Sequence, residues 1–295
     1  NIKELVKYAD FAMYEAKHTV KGSMREFNRD IYAEKIYLME NREAINQLIE
    51  ERRIRFMFQP IVNAKTGEIY AYEALMRSEH AMFKSPLEIL KVAASQFKLS
   101  ELEDMVIRKA VETAYENRHQ FGSRKIYINS IASQMISSES YMELEEEYGE
   151  FLKQVVIEIT EAEDDIPEKM TEKVLAIKGY GMGLAIDDFG RGFTNELKII
   201  AINPDVIKIN MDLLHGIYED KDKQTLCTNI IAYSHSKGIR IVAEGIEQVE
   251  DLKTVVELGA DYLQGYYLAK PSFNPVEIPA EKKEIIVRLQ DHICK

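Results

Sequence analysis

The chain has 295 residues, of which 46% are apolar, and this is enough to bury one large hydrophobic core or two medium ones. Its formal net charge of −12, without a dense Lys/Arg run, argues against a nucleic-acid polymer as partner, because such binding needs a basic face. Cys227 and Cys294 form neither a metal-spaced pair nor a disulfide framework, which favours a reducing compartment.

The first segment, residues 1–53, is charged and mostly helical in its pattern. Residues 8–17 predict one amphipathic helix, and residues 31–51 predict a longer one with its apolar residues on roughly one side. The start lacks the apolar core of a signal peptide, and no stretch approaches the roughly eighteen apolar residues of a membrane span. We expect a cytoplasmic chain with no membrane contact of its own, although a longer parent protein could be anchored elsewhere.

From residue 53 onward, short β-rich runs alternate with helical stretches. Several runs, such as VVIEI and IRIVA, are almost continuously apolar, as expected for parallel strands covered on both faces. Helical patterns at residues 102–116, 167–180, 224–237 and 249–258 separate them, which indicates repeated βαβ units. The candidate strands are residues 55–62, 69–75, 125–129, 155–160, 183–186, 206–209, 240–243 and 262–266.

The connection between the first two strands, residues 63–68, is too short for a crossover helix. These strands should therefore pair as an antiparallel hairpin. Eight strands over more than about 200 residues predict an α/β fold: a (β/α)₈ TIM-like barrel with one antiparallel strand. The mostly helical segment precedes this barrel. An open doubly wound sheet produces the same alternation, and periodicity does not separate the two.

Nearly every candidate strand carries a charged or amide residue near its C-terminal end. In parallel α/β folds ligands bind outside these ends, so residues far apart in sequence should converge on one face. A single acid at a strand end is more often a helix N-cap or a surface charge, but a repeated set is hard to explain in that way. The set is Glu73, Asn129, Glu158, Asp187, Asp188, Lys208, Glu244 and Gln264.

The negative charge of the carboxylates in this set needs to be compensated, since carboxyl groups a few ångströms apart cannot all stay ionised without cations. Either their pKa values rise or metal ions lie among them. The oxygen donors, with no histidine or cysteine nearby, favour Mg²⁺ or Mn²⁺ over Zn²⁺. The adjacent Asp187 and Asp188 suit two ions, with Asp187 bridging them, and such a pair suits in-line attack of water on a phosphodiester.

The same region contains an ordered series of motifs: FQPIV at 58–62, YEALMR at 72–77, EITE at 158–161, DDFGRGF at 187–193, VIKIN at 206–210, AEGIE at 243–247 and QGYYLAKP at 264–271. This series resembles the EAL-domain family of cyclic di-GMP phosphodiesterases over about residues 53–271. The resemblance implies a cyclic-guanylate-specific phosphodiesterase that converts cyclic di-GMP to linear pGpG in second-messenger signalling. It also implies a cytosolic location and a homodimer.

The resemblance implies roles for the strand-end residues. Glu73, Asn129, Glu158 and Asp187 look like ligands of one metal ion. Asp187 and Asp188 look like ligands of the second, with Glu244 binding it directly or through water. Lys208 looks like the residue that contacts the attacking water, and the general base stays open between Lys208, Glu244 and a metal ion alone.

Further positions carry implied roles outside the metal ligands. Gln59, Arg77 and Gln264 look like substrate-binding residues, with Arg77 as the phosphate contact. Glu161 looks like the residue that holds the loop at 188–195 in place. Both Glu161 and Glu247 look like catalytic residues.

The sequence also departs from the family pattern. Asn210 stands where the family usually has Asp, residues 191, 193, 195 and 196 differ in the loop, and Asn-Ser-Ile replaces Asn-x-Ser after residue 128. These departures keep open a second interpretation, a catalytically weak EAL domain that acts as a cyclic di-GMP receptor. A barrel metalloenzyme acting on another phosphate ester is a third, remote one.

The segment YADFAMYEAKHTVKGSMREF, residues 8–27, resembles the C-terminal helix and strand of a GGDEF domain, the diguanylate cyclase module. The GGDEF loop itself is absent, so we expect no cyclase activity. The alternative is an ordinary amphipathic helix. The resemblance predicts a GGDEF-like remnant at residues 1–30, a linking helix at 31–52 and the EAL barrel at 53–295.

Overall fold

A computed structural model describes residues 2–19, 24, 26–32, 36, 41–160, 167–190, 199–200 and 202–293. The chain forms two compact units. One comprises Asn1–Ile54 and Ser78–Leu102, and the other comprises Arg55–Arg77 and Glu103–Lys295. The predicted domain borders at residues 30 and 52 stay predictions. They describe modules recognised in the sequence, whereas the two units are groups of residues that pack compactly in space.

Eight strands form a closed barrel in chain order. From β2 to β8 each strand is parallel to the next, whereas β1 is antiparallel to β8. This confirms the predicted barrel with one reversed strand and excludes the open doubly wound sheet. The strands are β1 (Ile54–Asn63), β2 (Ile69–Ser78), β3 (Lys125–Ser130), β4 (Val155–Thr160), β5 (Gly183–Phe189), β6 (Val206–Ile209), β7 (Arg240–Ala243) and β8 (Tyr262–Leu263).

Helices fill most connections between the strands, as the alternating pattern predicts. No helix in the described part of the chain is both long and apolar enough to cross a membrane. The described helices are α1 (Ile2–Thr19), α2 (Arg42–Glu50), α3 (Pro86–Ser95), α4 (Leu99–Glu116), α5 (Arg118–Phe121), α6 (Ser138–Tyr148), the 3₁₀ helix Gly149–Gln154, α7 (Pro167–Gly179), α8 (Met211–Leu214), α9 (Lys221–Ser236), α10 (Val249–Glu257) and α11 (Ala280–Ile293).

A tight turn after β1 gives that strand its reversed direction. The Asn63 side chain accepts hydrogen bonds from the backbone N–H groups of Lys65, at 2.9 Å, and Thr66, at 3.1 Å. Its own N–H donates to the Glu68 carbonyl at 2.8 Å, which closes the hairpin. Gly67 has a φ of 67°, in the left-handed region that favours glycine. The short connection therefore reverses the chain, as predicted.

Several predicted boundaries are wrong. Strand β2 extends to Ser78 and β5 to Phe189, beyond the apolar runs, because their polar residues also join the ladder. Helix α9 begins at Lys221, three residues early, because the Asp220 side chain caps it by accepting from the N–H groups of two following residues. Helix α2 begins at Arg42 after a turn at Asn41, so the helix predicted over residues 31–51 is not continuous at that point; residues 33–35 and 37–40 of this prediction lie outside the described residues.

The barrel closes on an apolar layer with one residue from each of seven strands. All of these residues are buried, and two tyrosines from β2 and β8 pack against them. The layer consists of Ile61, Ala71, Tyr127, Val156, Ala185, Val206 and Val242.

Candidate active site

The predicted polar residues lie one step above this apolar layer. Side chains alternate along a strand, so the residue two positions beyond an inward-pointing one also points inward. On the reversed strand β1 the step runs backward, from Ile61 to Gln59. On the parallel strands it leads from Ala71 to Glu73, Tyr127 to Asn129, Val156 to Glu158, Ala185 to Asp187, Val206 to Lys208 and Val242 to Glu244.

Lys208 lies at the centre of this polar layer and is fully buried. Its Nζ is 2.5 Å from Oε1 of Glu158 and 2.6 Å from Oε1 of Glu244. The same atom is 3.3 Å from Oε2 of Glu73 and 3.3 Å from Oδ1 of Asp187. Four carboxylates, from β2, β4, β5 and the residue directly after β7, thus share a single ammonium group.

The carboxylates keep Lys208 charged. Burial alone would lower the pKa of its ammonium, but the surrounding acids, Asp187 and Glu158 foremost, raise that pKa well above its usual range. Glu73 is also held in its charged form. Burial would raise its pKa, but Lys208 and hydrogen bonds from Gln264 and Asn129 bring the pKa of Glu73 below its usual value.

The other acids are less well compensated. Burial raises the pKa of Glu158 well above its usual range, and the charge of Glu73 adds to the effect. Burial also raises the pKa of Glu244 well above normal, although Lys208 opposes the change. The pKa of Asp187 is raised by burial against the same opposing charge. One ammonium is therefore too little positive charge for this site, and a further cation would be stabilised there.

Amide side chains extend the network outward from Glu73. Asn129, exposed at the barrel mouth, donates from Nδ2 to Oε1 of Glu73 at 2.8 Å. Gln264 donates from Nε2 to Oε2 of Glu73 at 2.6 Å and to Oε1 of Gln59 at 3.3 Å. Gln59 in turn donates to the Ala269 carbonyl at 3.1 Å. The predicted Asn129, Gln59 and Gln264 therefore belong to the same network as the acids.

A second group of acids lies on one side of the mouth. Carboxylate oxygens of Asp187, Asp188 and Glu244 all lie within 4.8 Å of one another. Asp188 has a φ of 57°, a strained value for a residue with a side chain. Asn210 donates from Nδ2 to Oδ1 of Asp188, while its Oδ1 accepts from the Asp212 N–H at 2.7 Å.

The donors present fit a divalent metal ion. The acids offer oxygen ligands only, as hard cations such as Mg²⁺ and Mn²⁺ prefer. Oε2 of Glu158 and Oε1 of Gln264 are buried and have no hydrogen-bond partner among the described residues. An orphaned buried oxygen is costly, so these atoms are free to bind a cation or a polar ligand.

A cavity of about 430 Å³ opens above the acids. Sequence reasoning missed Met211 and Tyr266 in its wall, although Met211 directly follows the VIKIN motif and Tyr266 lies within QGYYLAKP. It also missed the contact between Asn210 and Asp188, because backbone strain at residue 188 leaves no sequence signal. The cavity is lined by Gln59, Glu73, Asp188, Asn210, Met211, Glu244, Gly245, Glu247, Gln264, Gly265 and Tyr266.

Six predicted residues are not among those that line the cavity: Asn129, Glu158, Asp187 and Lys208 belong to the polar layer described above, and Arg77 and Glu161 are not placed with it. Arg77 is not among the lining residues, and its Nη1 donates to the Met76 carbonyl at 2.8 Å. Glu161 lies outside the described residues, as do the loop positions 191–198. Their implied roles stay predictions.

An eight-stranded barrel whose C-terminal mouth gathers acids around a lysine defines a candidate metal-dependent barrel enzyme. Residues 42–271 match the EAL domain family, and the chain belongs to this family.

Similar proteins include two curated phosphodiesterases. The chain is 29% identical over 234 residues to the cyclic di-GMP phosphodiesterase PdeF of Escherichia coli K12, which covers 77% of this chain and 31% of PdeF. It is 23% identical over 279 residues to the cyclic di-GMP phosphodiesterase NbdA of Pseudomonas aeruginosa, which covers 91% of this chain and 35% of NbdA. The chain thus spans about a third of the length of these relatives.

A solved structure of an EAL protein from Vibrio cholerae O395, in its cyclic di-GMP-bound form, has a similar fold. It superposes with a TM-score of 0.65 at 26% sequence identity, over 77% of this chain and 96% of the other.

Proposed function

We propose that this EAL domain hydrolyses cyclic di-GMP to linear pGpG with two divalent ions, Mg²⁺ or Mn²⁺. The observation that carries the proposal is the convergence of Glu73, Glu158, Asp187 and Glu244 within 3.3 Å of one buried ammonium. Relatives named as cyclic di-GMP phosphodiesterases, and a relative solved with this dinucleotide, support the substrate.

In the proposed site, Glu73, Asn129, Glu158 and Asp187 would hold one ion. Asp187 and Asp188 would hold the other, with Glu244 bound to it directly or through water. When bound, such a pair of ions polarises the phosphodiester and activates water for in-line attack.

The chain's own residues would orient the substrate and the water. Lys208 holds a fixed positive charge between the acids and can donate a hydrogen bond to an oxygen that approaches them. Gln264 donates a hydrogen bond from Nε2 to Glu73, and its Oε1 has no partner among the described residues. This oxygen can therefore accept a hydrogen bond from the ligand. Glu247 and Gln59 line the wall and are proposed to contact the dinucleotide or its water. Arg77 as a phosphate contact and Glu161 as a loop brace remain proposals.

A turnover assay tests the proposal directly. Wild-type protein with Mg²⁺ or Mn²⁺ should convert cyclic di-GMP to pGpG, measured by chromatography, and Glu73→Ala should abolish conversion by removing a metal ligand. Glu68→Ala, on the neighbouring hairpin and ion-paired with Lys283 at the surface, is the matched control and should retain wild-type turnover. Undiminished turnover in Glu73→Ala would show that the site is elsewhere.

The second candidate function is a cyclic di-GMP receptor with little catalysis. Asn210 favours it, since a neutral amide replaces the family's usual Asp and contacts the candidate ligand Asp188. Tight binding of cyclic di-GMP with no pGpG under either metal would establish the receptor.

Three further features are part of the proposal: a GGDEF-like remnant at residues 1–30, a homodimer, and a cytoplasmic location. The stacking of Tyr8 on Phe27, at 4.3 Å between ring centroids, supports the remnant as a folded piece. Light scattering of the purified chain would test the dimer.

A further inference from the structure

A buried ion pair lies outside the cavity, between α4 and α7. Glu103 and Lys173 are each 2% exposed, and Nζ of the lysine is 3.3 Å from Oε1 of the glutamate. Burying two charges costs desolvation energy, and an apolar pair of similar size is often at least as stable. The pair is therefore poorly explained by stability alone, and its other contacts indicate what it does.

Both members of the pair hold the turn that follows β3. Glu103 accepts hydrogen bonds from the Ser130 hydroxyl and, at 3.0 Å, from the Ile131 N–H. Lys173 donates to the carbonyls of Ile131 and Gln134, at 2.6 Å each. The carboxylate of Glu103 and the ammonium of Lys173 thus hold the backbone of this turn through one N–H group and two carbonyls. Hydrogen bonds to charged groups are stronger than those between neutral groups.

Asn129 immediately precedes this turn. Its side chain donates to Glu73, and its backbone pairs with Glu158 on β4. Because β3 ends at Ser130, only one further residue of the strand ladder supports Asn129 from its C-terminal side. The position of the C-terminal end of β3, and with it that of Asn129, therefore depends on how rigidly the following turn is fixed.

We infer that Glu103 and Lys173 are positioning residues that aim the Asn129 amide at the metal site. The inference rests on the proposed function, in which Asn129 is a metal ligand. Groups that orient ligands from behind commonly contribute about 10- to 100-fold to metal affinity. The pair acts through the backbone of residues 130–134 and does not touch the ligand or the cavity.

The test uses the full chain with three variants: Glu103→Gln, Lys173→Met and the double variant. Each single variant leaves one buried charge unpaired and should melt well below wild type. The double variant removes both charges, so its melting temperature should recover most of that loss. Its turn still lacks the donor to two carbonyls, so we expect the Kd for Mn²⁺, from calorimetric titration, to rise about tenfold.

A second measurement does not depend on metal. In metal-free protein, hydrogen exchange of residues 129–134 should be faster in the double variant, with β5 and β6 unchanged. Lys178→Met is the matched control: this lysine lies on the same helix and donates to the Asn203 carbonyl at 2.6 Å, but it is exposed. It should leave both readouts at wild-type values.

The outcomes separate the inference from the proposed function. If the double variant recovers stability together with wild-type Mn²⁺ affinity and wild-type exchange, the pair is merely structural and the inference is wrong. If wild-type protein binds no Mn²⁺, the proposed metal site is wrong. In that case hydrogen exchange still tests the positioning role: exchange at residues 129–134 that is the same in the double variant as in wild type would overturn it.

Discussion

The ammonium of Lys208 is ion-paired with four carboxylates in the barrel mouth. Replacing Lys208 with Met leaves four buried or half-buried acids without their shared cation. We predict that Lys208→Met lowers the free energy of unfolding of the metal-free protein by about 3 kcal/mol, as for other broken buried ion pairs. Urea unfolding in EDTA measures the change, with the exposed Lys178→Met as control.

Added Mn²⁺ should recover part of the stability lost in Lys208→Met, because a divalent ion replaces the missing positive charge. Equal losses with and without metal would contradict the view that the lysine and the metal compensate the same acids.

Asn210 combines two contacts that a substitution can separate. Its Oδ1 caps α8, and its Nδ2 bonds Asp188. Serine caps helices about as well as asparagine, within about 0.5 kcal/mol, but its shorter side chain would not reach Asp188. We predict that Asn210→Ser leaves the free energy of unfolding nearly unchanged and raises the Kd for Mn²⁺ by up to about tenfold.

Unfolding curves and calorimetric titration of the same Asn210→Ser sample provide both numbers. Asn210→Ala, which removes the cap as well, should lose both stability and affinity. A serine variant with wild-type affinity for Mn²⁺ would show that Asp188 does not need this contact.

The loops after β7 and β8 pack backbone against backbone beside the cavity. Ile246 donates to the Gln264 carbonyl at 3.0 Å, and Tyr267 donates back to Ile246 at 2.9 Å. A Cβ on Gly265 would lie 2.1 Å from the Ile246 oxygen and 2.3 Å from its nitrogen. Since neither backbone atom can rotate away, we predict that Gly265→Ala lowers the melting temperature by several degrees and reduces turnover.

Gly179 provides the control for that substitution. A Cβ there meets nothing within 4 Å, and its φ is not positive. Gly179→Ala should therefore be neutral or stabilising by up to about 1 kcal/mol, through the lost entropy of the unfolded chain. Thermal melts of the two variants decide the matter, and equal melting temperatures would be inconsistent with the tight contact at Ile246.

The same elements show what the sequence can predict. The predicted bounds of β4 and β6 are correct because each is a mostly apolar run with polar residues on both sides. The predicted bounds of β7 are also correct. Strand β8 was predicted to reach residue 266 but ends at Leu263, since the following backbone bonds the loop at Ile246 instead. That exchange of partners depends on tertiary contacts and has no local signature.

The site could be predicted in outline for a similar reason. Inward-pointing residues recur every two positions, so a polar residue two beyond a core position marks the mouth on strand after strand. The central place of Lys208 required the closed barrel, because its four partners come from β2, β4, β5 and the residue directly after β7. Glu103 and Lys173 were missed because a charge within a helical pattern is normally solvated, and only the packing of two helices buries this pair.

At the scale of the molecule, charge sets the main requirement. The chain carries a formal net charge of −12, and its deepest polar cluster is acidic, so a dinucleotide with two phosphates would be repelled. Divalent ions in the mouth would reverse the local sign. We predict that EDTA abolishes binding of cyclic di-GMP and that Mn²⁺ restores it, measured by calorimetry; metal-independent binding would contradict this.

Metal binding should also stabilise one compact unit selectively. All the proposed ligands belong to the unit of Arg55–Arg77 and Glu103–Lys295. A ligand at 100 times its Kd stabilises the state that binds it by about 2.7 kcal/mol, and only structure that opens together with the site gains this protection. Hydrogen exchange should therefore slow on β2 to β7 when Mn²⁺ is added, while α1 exchanges at its metal-free rate. Glu73→Ala should lose the protection, because the strands would keep their fold but not their ion. Equal protection of α1 and the strands would mean that the metal acts somewhere other than the barrel mouth.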